Sequence, residues 1–130
     1  MKVRIDESSG FCWGVVKTID KVEEVLNNLP ENNIHVLGQI IHNPMETERL
    51  EKIGLNTIDY EAFSKLSGKS ETVIIRAHGE PPETYRKAAE IGIDLIDATC
   101  PLVQNLQKSV HTYYEEGWQI VIFGKEQHAE

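Results

Sequence analysis

Apolar residues in this chain alternate between short β-branched runs and longer stretches with helical spacing, joined by brief loops. That alternation admits little besides a parallel sheet flanked by helices. Val3 and Ile5 read as a first strand. Val15, Ile19, Val22, Val25, Leu26 and Leu29 then recur at helical spacing from about Gly14 to Leu29, and Asn27, Asn28 and Pro30 stop that helix. Ile34 to Leu37 restarts as a strand, Pro44 opens a helix ending at Gly54, Leu55 to Ile58 makes a short strand, and Glu61 to Leu66 a helical turn. Val73-Ile74-Ile75 is the central strand. Pro81 and Pro82 open a helix that closes at Gly92, Asp94 to Asp97 is a strand, Pro101 to Glu116 a helix capped by Gly117, and Gln119 to Phe123 a last strand. The expected fold class is α/β, a mainly parallel sheet with helices on both faces. Ile53-Gly54-Leu55-Asn56-Thr57-Ile58-Asp59 and Ile91-Gly92-Ile93-Asp94-Leu95-Ile96-Asp97 resemble each other, which two similar helix-to-strand loops explain.

Composition narrows the function classes. At 130 residues and 40% hydrophobic, the chain fits one small globular domain. No apolar run nears the roughly 20 residues of a membrane-spanning helix. The start MKVRIDESSG lacks the apolar core of a signal peptide, so a soluble cytoplasmic protein is expected. Thirteen basic against 21 acidic residues give a net charge of −8, which disfavours a binder that tracks nucleic-acid phosphates; any bound anion must be held locally. Two cysteines make no disulfide scaffold and are read as buried thiols, metal ligands or catalytic groups.

In open α/β sheets, ligands bind at the carboxyl ends of the strands. Cys12 follows the first expected strand, His42 the second, His78 the Val73 to Arg76 run, Cys100 the Asp94 to Asp97 run, and His128 the last. Both cysteines and three of the five histidines therefore belong on one edge. Taken singly, each has an ordinary reading: free cysteines are commonly buried, and loop histidines are commonly solvated. Cys12 lies in Gly10-Phe11-Cys12-Trp13-Gly14 and Cys100 in Asp97-Ala98-Thr99-Cys100-Pro101, each directly before a helix. Helix amino-termini favour thiolates, so the pair looks like metal ligands. His42 in Ile41-His42-Asn43-Pro44, His78 in Arg76-Ala77-His78-Gly79 and His128 in His128-Ala129-Glu130 could hold a phosphate together with helix amino-terminal amides, without a basic surface. His35, opening a strand, and His111, on a polar helix face with Gln104 and Gln107, are assigned surface roles. Glu130, two residues from His128, could donate or relay a proton, although most glutamates are merely solvated. Gly68-Lys69-Ser70 is no phosphate-binding P-loop, since Phe63 stands where the leading glycine belongs.

Gly10-Phe11-Cys12-Trp13-Gly14-Val15, Ile41-His42-Asn43, Ala77-His78-Gly79, Asp97-Ala98-Thr99-Cys100-Pro101-Leu102-Val103 and His128-Ala129-Glu130, in this order, closely resemble the LytB-type hydroxymethylbutenyl diphosphate reductases. Those are the iron–sulfur enzymes that end the non-mevalonate isoprenoid pathway. The resemblance runs over essentially the whole chain; Asp-Ala-Thr-Cys-Pro is its most specific segment, while Trp13 and Ala129 are small local departures. It implies reductive dehydroxylation of 4-hydroxy-3-methylbut-2-enyl diphosphate to isopentenyl and dimethylallyl diphosphate. It further implies that Cys12 and Cys100 are two of three thiolate ligands of a [4Fe–4S] cluster, that His42, His78 and His128 hold the diphosphate, and that Glu130 serves in proton delivery. A ferredoxin or flavodoxin would be the electron donor. Family members resemble three similar α/β domains and are about twice as long or more, so residues 1–99 would form the first domain with its cluster-ligand segment. Residues 100–130 would begin the second, and the third cysteine ligand would lie outside this chain, leaving it inactive alone.

The residues by themselves leave two further readings open: a zinc hydrolase using Cys12, Cys100 and a histidine with an open position for water, or a metal-free α/β module whose cysteines pack the core.

Overall fold

The computed structural model describes residues 1–6, 9–29, 33–68 and 70–124. Its elements are α1 (Trp13–Asn28), β1 (Asn33–Leu37), α2 (Pro44–Lys52), β2 (Asn56–Ile58), α3 (Tyr60–Lys65), β3 (Glu71–Ile75), α4 (Pro82–Ile91), β4 (Asp94–Asp97) and α5 (Pro101–Glu115). The four strands form a parallel sheet in the order β2-β1-β3-β4.

Burial explains which strand lies where. Thr72, Val73, Ile74 and Ile75 of β3 are all buried, as suits a central parallel strand covered on both faces. The edge strands are short and half-exposed: β2 has three residues and β4 four. Alternation along the strands sends Ile34, Val36 and Ile74 to one face, against Ile19, Val22 and Val25 of α1 and Leu50 of α2. Leu37 and Val73 go to the other, against Phe63 of α3 and Ala88 of α4. Each fully buried Val or Ile contributes on the order of 1.5–3 kcal/mol. Right-handed crossovers demand this division. The chain runs one way from β1 to β2 through α2, and the opposite way from β2 to β3 to β4 through α3 and α4, so those helices must lie on opposite faces.

The paired helix-to-strand loops share one device. Leu55 N–H donates to the Leu50 carbonyl and Ile93 N–H to the Ala88 carbonyl, each closing a helix across a glycine with positive φ, 112° at Gly54 and 71° at Gly92.

Both terminal strands expected from the sequence are absent. Val3 and Ile5 lie in a segment without regular structure, 76% and 84% exposed, and Gln119 to Phe123 is likewise irregular, with Phe123 fully exposed. A strand exists only by pairing, and neither segment reaches a sheet edge; apolar alternation alone could not reveal this. His35 is also corrected. It sits inside β1 rather than opening it, its side chain only 13% exposed, with Nε2–H donating to Glu71 on β3 at 2.6 Å. His111 is exposed on α5, as expected. Among the described residues, no helix is long and apolar enough to cross a membrane.

Candidate functional site

The direction in which the chain leaves each strand decides where a ligand can sit. From β1 it turns toward β2, and from β3 toward β4, so the connections diverge between these two central neighbours. Their carboxyl ends frame the crevice where open α/β sheets bind ligands. His42 follows β1 and His78 follows β3; their rings meet with centroids 4.7 Å apart and planes inclined by 35°. A cavity of about 200 Å³ opens beside them, lined also by Phe11, Val15, Ile41, Asn43 and Ala77.

Main-chain bonds hold this edge together. Ala77 N–H donates to the Ile40 carbonyl at 3.4 Å, Cys100 N–H donates to the Ala77 carbonyl at 2.9 Å, and Ala98 N–H donates to the Ile75 carbonyl at 3.1 Å. The loops leaving β1, β3 and β4 are thus joined through Ala77. Asn43 caps α2 by accepting the Glu46 N–H at 3.0 Å, with Pro44 following at the first helical position, which fixes the loop that carries His42. Asp97 pins the segment before Cys100: its Oδ1 accepts the Thr99 N–H at 2.8 Å and its Oδ2 the Tyr85 hydroxyl at 3.3 Å. Burial, then the Asp97 charge, raise the Tyr85 pKa above the usual phenol value.

Cys12 and Cys100 occupy the amino-terminal caps of α1 and α5, and neither side chain is used in capping. Cys12 is exposed and Cys100 buried. A Cβ built on Gly14 would stand 2.2 Å from Cys100 Sγ, so that thiol fills the space a side chain would take in the first turn of the helix Cys12 caps. Thr18, buried one turn along α1, donates to the Ala98 carbonyl at 2.9 Å and ties the two cysteine segments together.

His42, His78, Cys12 and Cys100 therefore gather on the edge expected of them, although Cys12 arrives there on a helix and follows no strand. His128 and Glu130 lie outside the described residues. Among the described residues no three His, Cys, Asp or Glu side chains converge as a metal site. Sequence reasoning missed Gly14 and Thr18, whose roles depend on contacts 80 or more residues away. Gln107 lies on the exposed polar face expected of it, and from there its Nε2 also donates to the His78 carbonyl at 3.4 Å.

Fold and site together define a class: an open α/β protein presenting two thiols at helix amino-termini beside a pair of histidines at the switch point of its sheet. The LytB protein family model matches residues 3–130, and the chain belongs to that family. The 4-hydroxy-3-methylbut-2-enyl diphosphate reductase of Chloroherpeton thalassium is 50% identical over 130 residues, covering 100% of this chain and 40% of that protein. The reductase of the same name from Porphyromonas gingivalis is 51% identical over 132 residues, covering 98% and 45%. Among solved structures, the E-1-hydroxy-2-methyl-but-2-enyl-4-diphosphate reductase from Plasmodium falciparum matches with a TM-score of 0.82 at 32% identity, covering 95% of this chain and 37% of that one. An (E)-4-hydroxy-3-methyl-but-2-enyl diphosphate reductase described as the terminal enzyme of the non-mevalonate pathway matches at 0.81 and 36% identity, covering 95% and 42%. The chain spans less than half the length of these relatives.

Proposed function

We propose that this chain supplies the amino-terminal part of the site of an oxidoreductase that removes the allylic hydroxyl of 4-hydroxy-3-methylbut-2-enyl diphosphate, giving isopentenyl and dimethylallyl diphosphate. The observation that carries the reading is the His42–His78 pair at the switch point, 4.7 Å apart, on an edge where two thiols stand at helix amino-termini. Imidazoles and helix amides hold a diphosphate locally, which suits a chain of net charge −8. Anchoring that group brings the rest of a five-carbon substrate to a fixed place along the edge. His128 would add a third imidazole, and Glu130 would hold the proton delivered to the departing oxygen.

Cys12 and Cys100 suit two thiolate ligands of a [4Fe–4S] cluster: neither is used in capping, and the absence of a side chain at Gly14 leaves room for the Cys100 sulfur beside the α1 amino-terminus. When bound, such a cluster would supply the electron transfer and the Lewis acidity that side chains lack. The sequence holds two cysteines, so a third thiolate would come from outside these 130 residues. Residues 100–130 would then begin a second α/β unit, in keeping with an α5 that buries none of its residues. A ferredoxin or flavodoxin would deliver the electrons, in a reducing cytoplasm that keeps both thiols free.

Anaerobic iron and acid-labile sulfide content, with a visible spectrum, tests this on the 130-residue chain and on a chain extended to the natural stop codon. Close to four irons and four sulfides per extended chain, lost when Cys12 and Cys100 are replaced by serine, is the expected result. Zinc without sulfide would replace it with a hydrolase. No metal in either chain, with the serine variants changing only stability, would leave a metal-free module.

A further inference from the structure

The turn that carries His78 is braced by charges the proposed chemistry does not use. Arg76 leaves the end of β3, and Glu80 stands four residues on, just before α4. Between them Ala77, His78 and Gly79 make a tight turn, closed by Gly79 N–H donating to the Arg76 carbonyl at 3.0 Å. Gly79 has φ of 78°, and a Cβ there would lie 3.0 Å from Gln107 and 3.3 Å from Thr99, so the turn fits only glycine at that point. Arg76 Nε and Glu80 Oε1 are 2.9 Å apart, an ion pair by distance though not aligned as a hydrogen bond; the Glu80 side chain is 1% exposed and that of Arg76 23%.

Glu80 is further enclosed by neutral donors. The Tyr60 hydroxyl, at the start of α3, donates to Oε2, and Thr84 Oγ1 approaches the same oxygen at 3.5 Å. Burial first, then the hydrogen bond to Glu80 and its charge, raise the Tyr60 pKa above the usual phenol value. After Glu80 the chain enters Pro81 and Pro82, whose fixed φ leaves the start of α4 little freedom. On the other side, the Arg76 guanidinium fills the space beside Gly38, where a Cβ would stand 2.9 Å from Nη1. Gly38 follows β1 and begins the loop that leads to His42. One arginine therefore lies under both histidine loops, and one buried carboxylate locks it to the base of α4.

An ion pair with one partner buried is a poor source of net stability, because desolvation offsets most of the attraction; what distinguishes this one is that the Tyr60 hydroxyl also holds the Glu80 carboxylate, which leaves it little freedom. We propose that Glu80, through Arg76, is a positioning residue for His78. The Arg76–Glu80 pair, completed by the Tyr60 hydroxyl, sets the angle of the Ala77-His78-Gly79 turn and so the distance between the two imidazoles. The inference rests on the reading of His42 and His78 as the diphosphate holders only for its functional consequence; the placement of the ring is a separate matter.

The experiment uses the full-length gene product that carries these residues, as wild type, Glu80→Gln and Tyr60→Phe. Ring ¹H–¹³C resonances of His78 report its placement, with exposed His111 as the internal control. Affinity for inorganic pyrophosphate reports the consequence. Glu80→Gln should shift or broaden the His78 signals, leave His111 unmoved, and weaken pyrophosphate binding on the order of tenfold, as expected when a binding group is displaced by a fraction of an ångström to an ångström. Tyr60→Phe should do the same more weakly, and decides the matter alone if Glu80→Gln does not fold. His78 resonances unchanged in a folded Glu80→Gln or Tyr60→Phe variant, whatever the loss of thermal stability, would overturn the proposal. If wild type binds no pyrophosphate, the diphosphate reading fails while the ring signals still decide the role of Glu80.

Discussion

Two imidazoles with centroids 4.7 Å apart can hold one anion jointly only while both rings are present. His42→Ala or His78→Ala alone should therefore weaken affinity for inorganic pyrophosphate, read by titration calorimetry, and unchanged affinity in either variant would remove that ring from the anion site. Asn43 offers a sharper test, because it both caps α2 and lines the cavity. Asn43→Ala should cost about 1 kcal/mol in a urea melt through loss of the cap. Asn43→Asp keeps the cap, leaving stability within about 0.5 kcal/mol of wild type, but places a carboxylate beside the anion and should weaken pyrophosphate binding. Equal pyrophosphate affinity in wild type and Asn43→Asp would remove Asn43 from the binding surface.

At the scale of elements, the β1–β3 pair carries its own acid sensitivity. The hydrogen bond from His35 holds the Glu71 carboxyl below its usual value of 4.5, with a further bond from Asn33, and these outweigh the opposing effect of burial. A carboxyl whose folded pKa is depressed contributes stability that is complete above the unfolded value and is lost as pH falls through the folded one. Glu71→Gln should thus cost on the order of 1 kcal/mol at pH 7, and the difference from wild type should close as pH falls below 4.5, read from urea midpoints. A constant difference down to pH 2 would place the effect elsewhere. Elements were also where the sequence was most legible. Pro44, Pro82, Pro101, Gly54 and Gly92 mark helix ends by local backbone chemistry, and the all-apolar β3 announces a central strand. Val3-Ile5 and Gln119–Phe123 failed as strands because pairing is a long-range property. The placement of His42, His78 and Cys100 was legible because strand carboxyl ends follow from the order of elements, whereas Cys12 reaches the edge with no strand before it, and Gly14, Thr18 and Glu80 were not legible, since their neighbours are set by tertiary contact.

Considered as a whole molecule, the chain is well covered on both sheet faces and bare at α5. Leu102, Leu106, Tyr113 and Tyr114 are all more than half exposed, and Val121, Ile122 and Phe123 lie open nearby. An apolar surface of that kind attracts dyes and other apolar groups. The 130-residue chain should therefore bind anilinonaphthalene sulfonate in its native state. Leu106→Lys should reduce that binding while shifting the urea midpoint by no more than about 0.5 kcal/mol equivalent, because Leu106 supports none of the core. A large loss of stability would show that α5 is packed in solution. The joint at Ala77 has a different bearing. Its two main-chain groups link the loops of three strands, and main-chain groups are the same in every residue that keeps an N–H. That joint is accordingly a chassis for the loops themselves: a ring mounted on one of them can be exchanged while the main-chain bracket stays in place, and the finer aim of each ring is left to side chains such as Arg76 and Glu80.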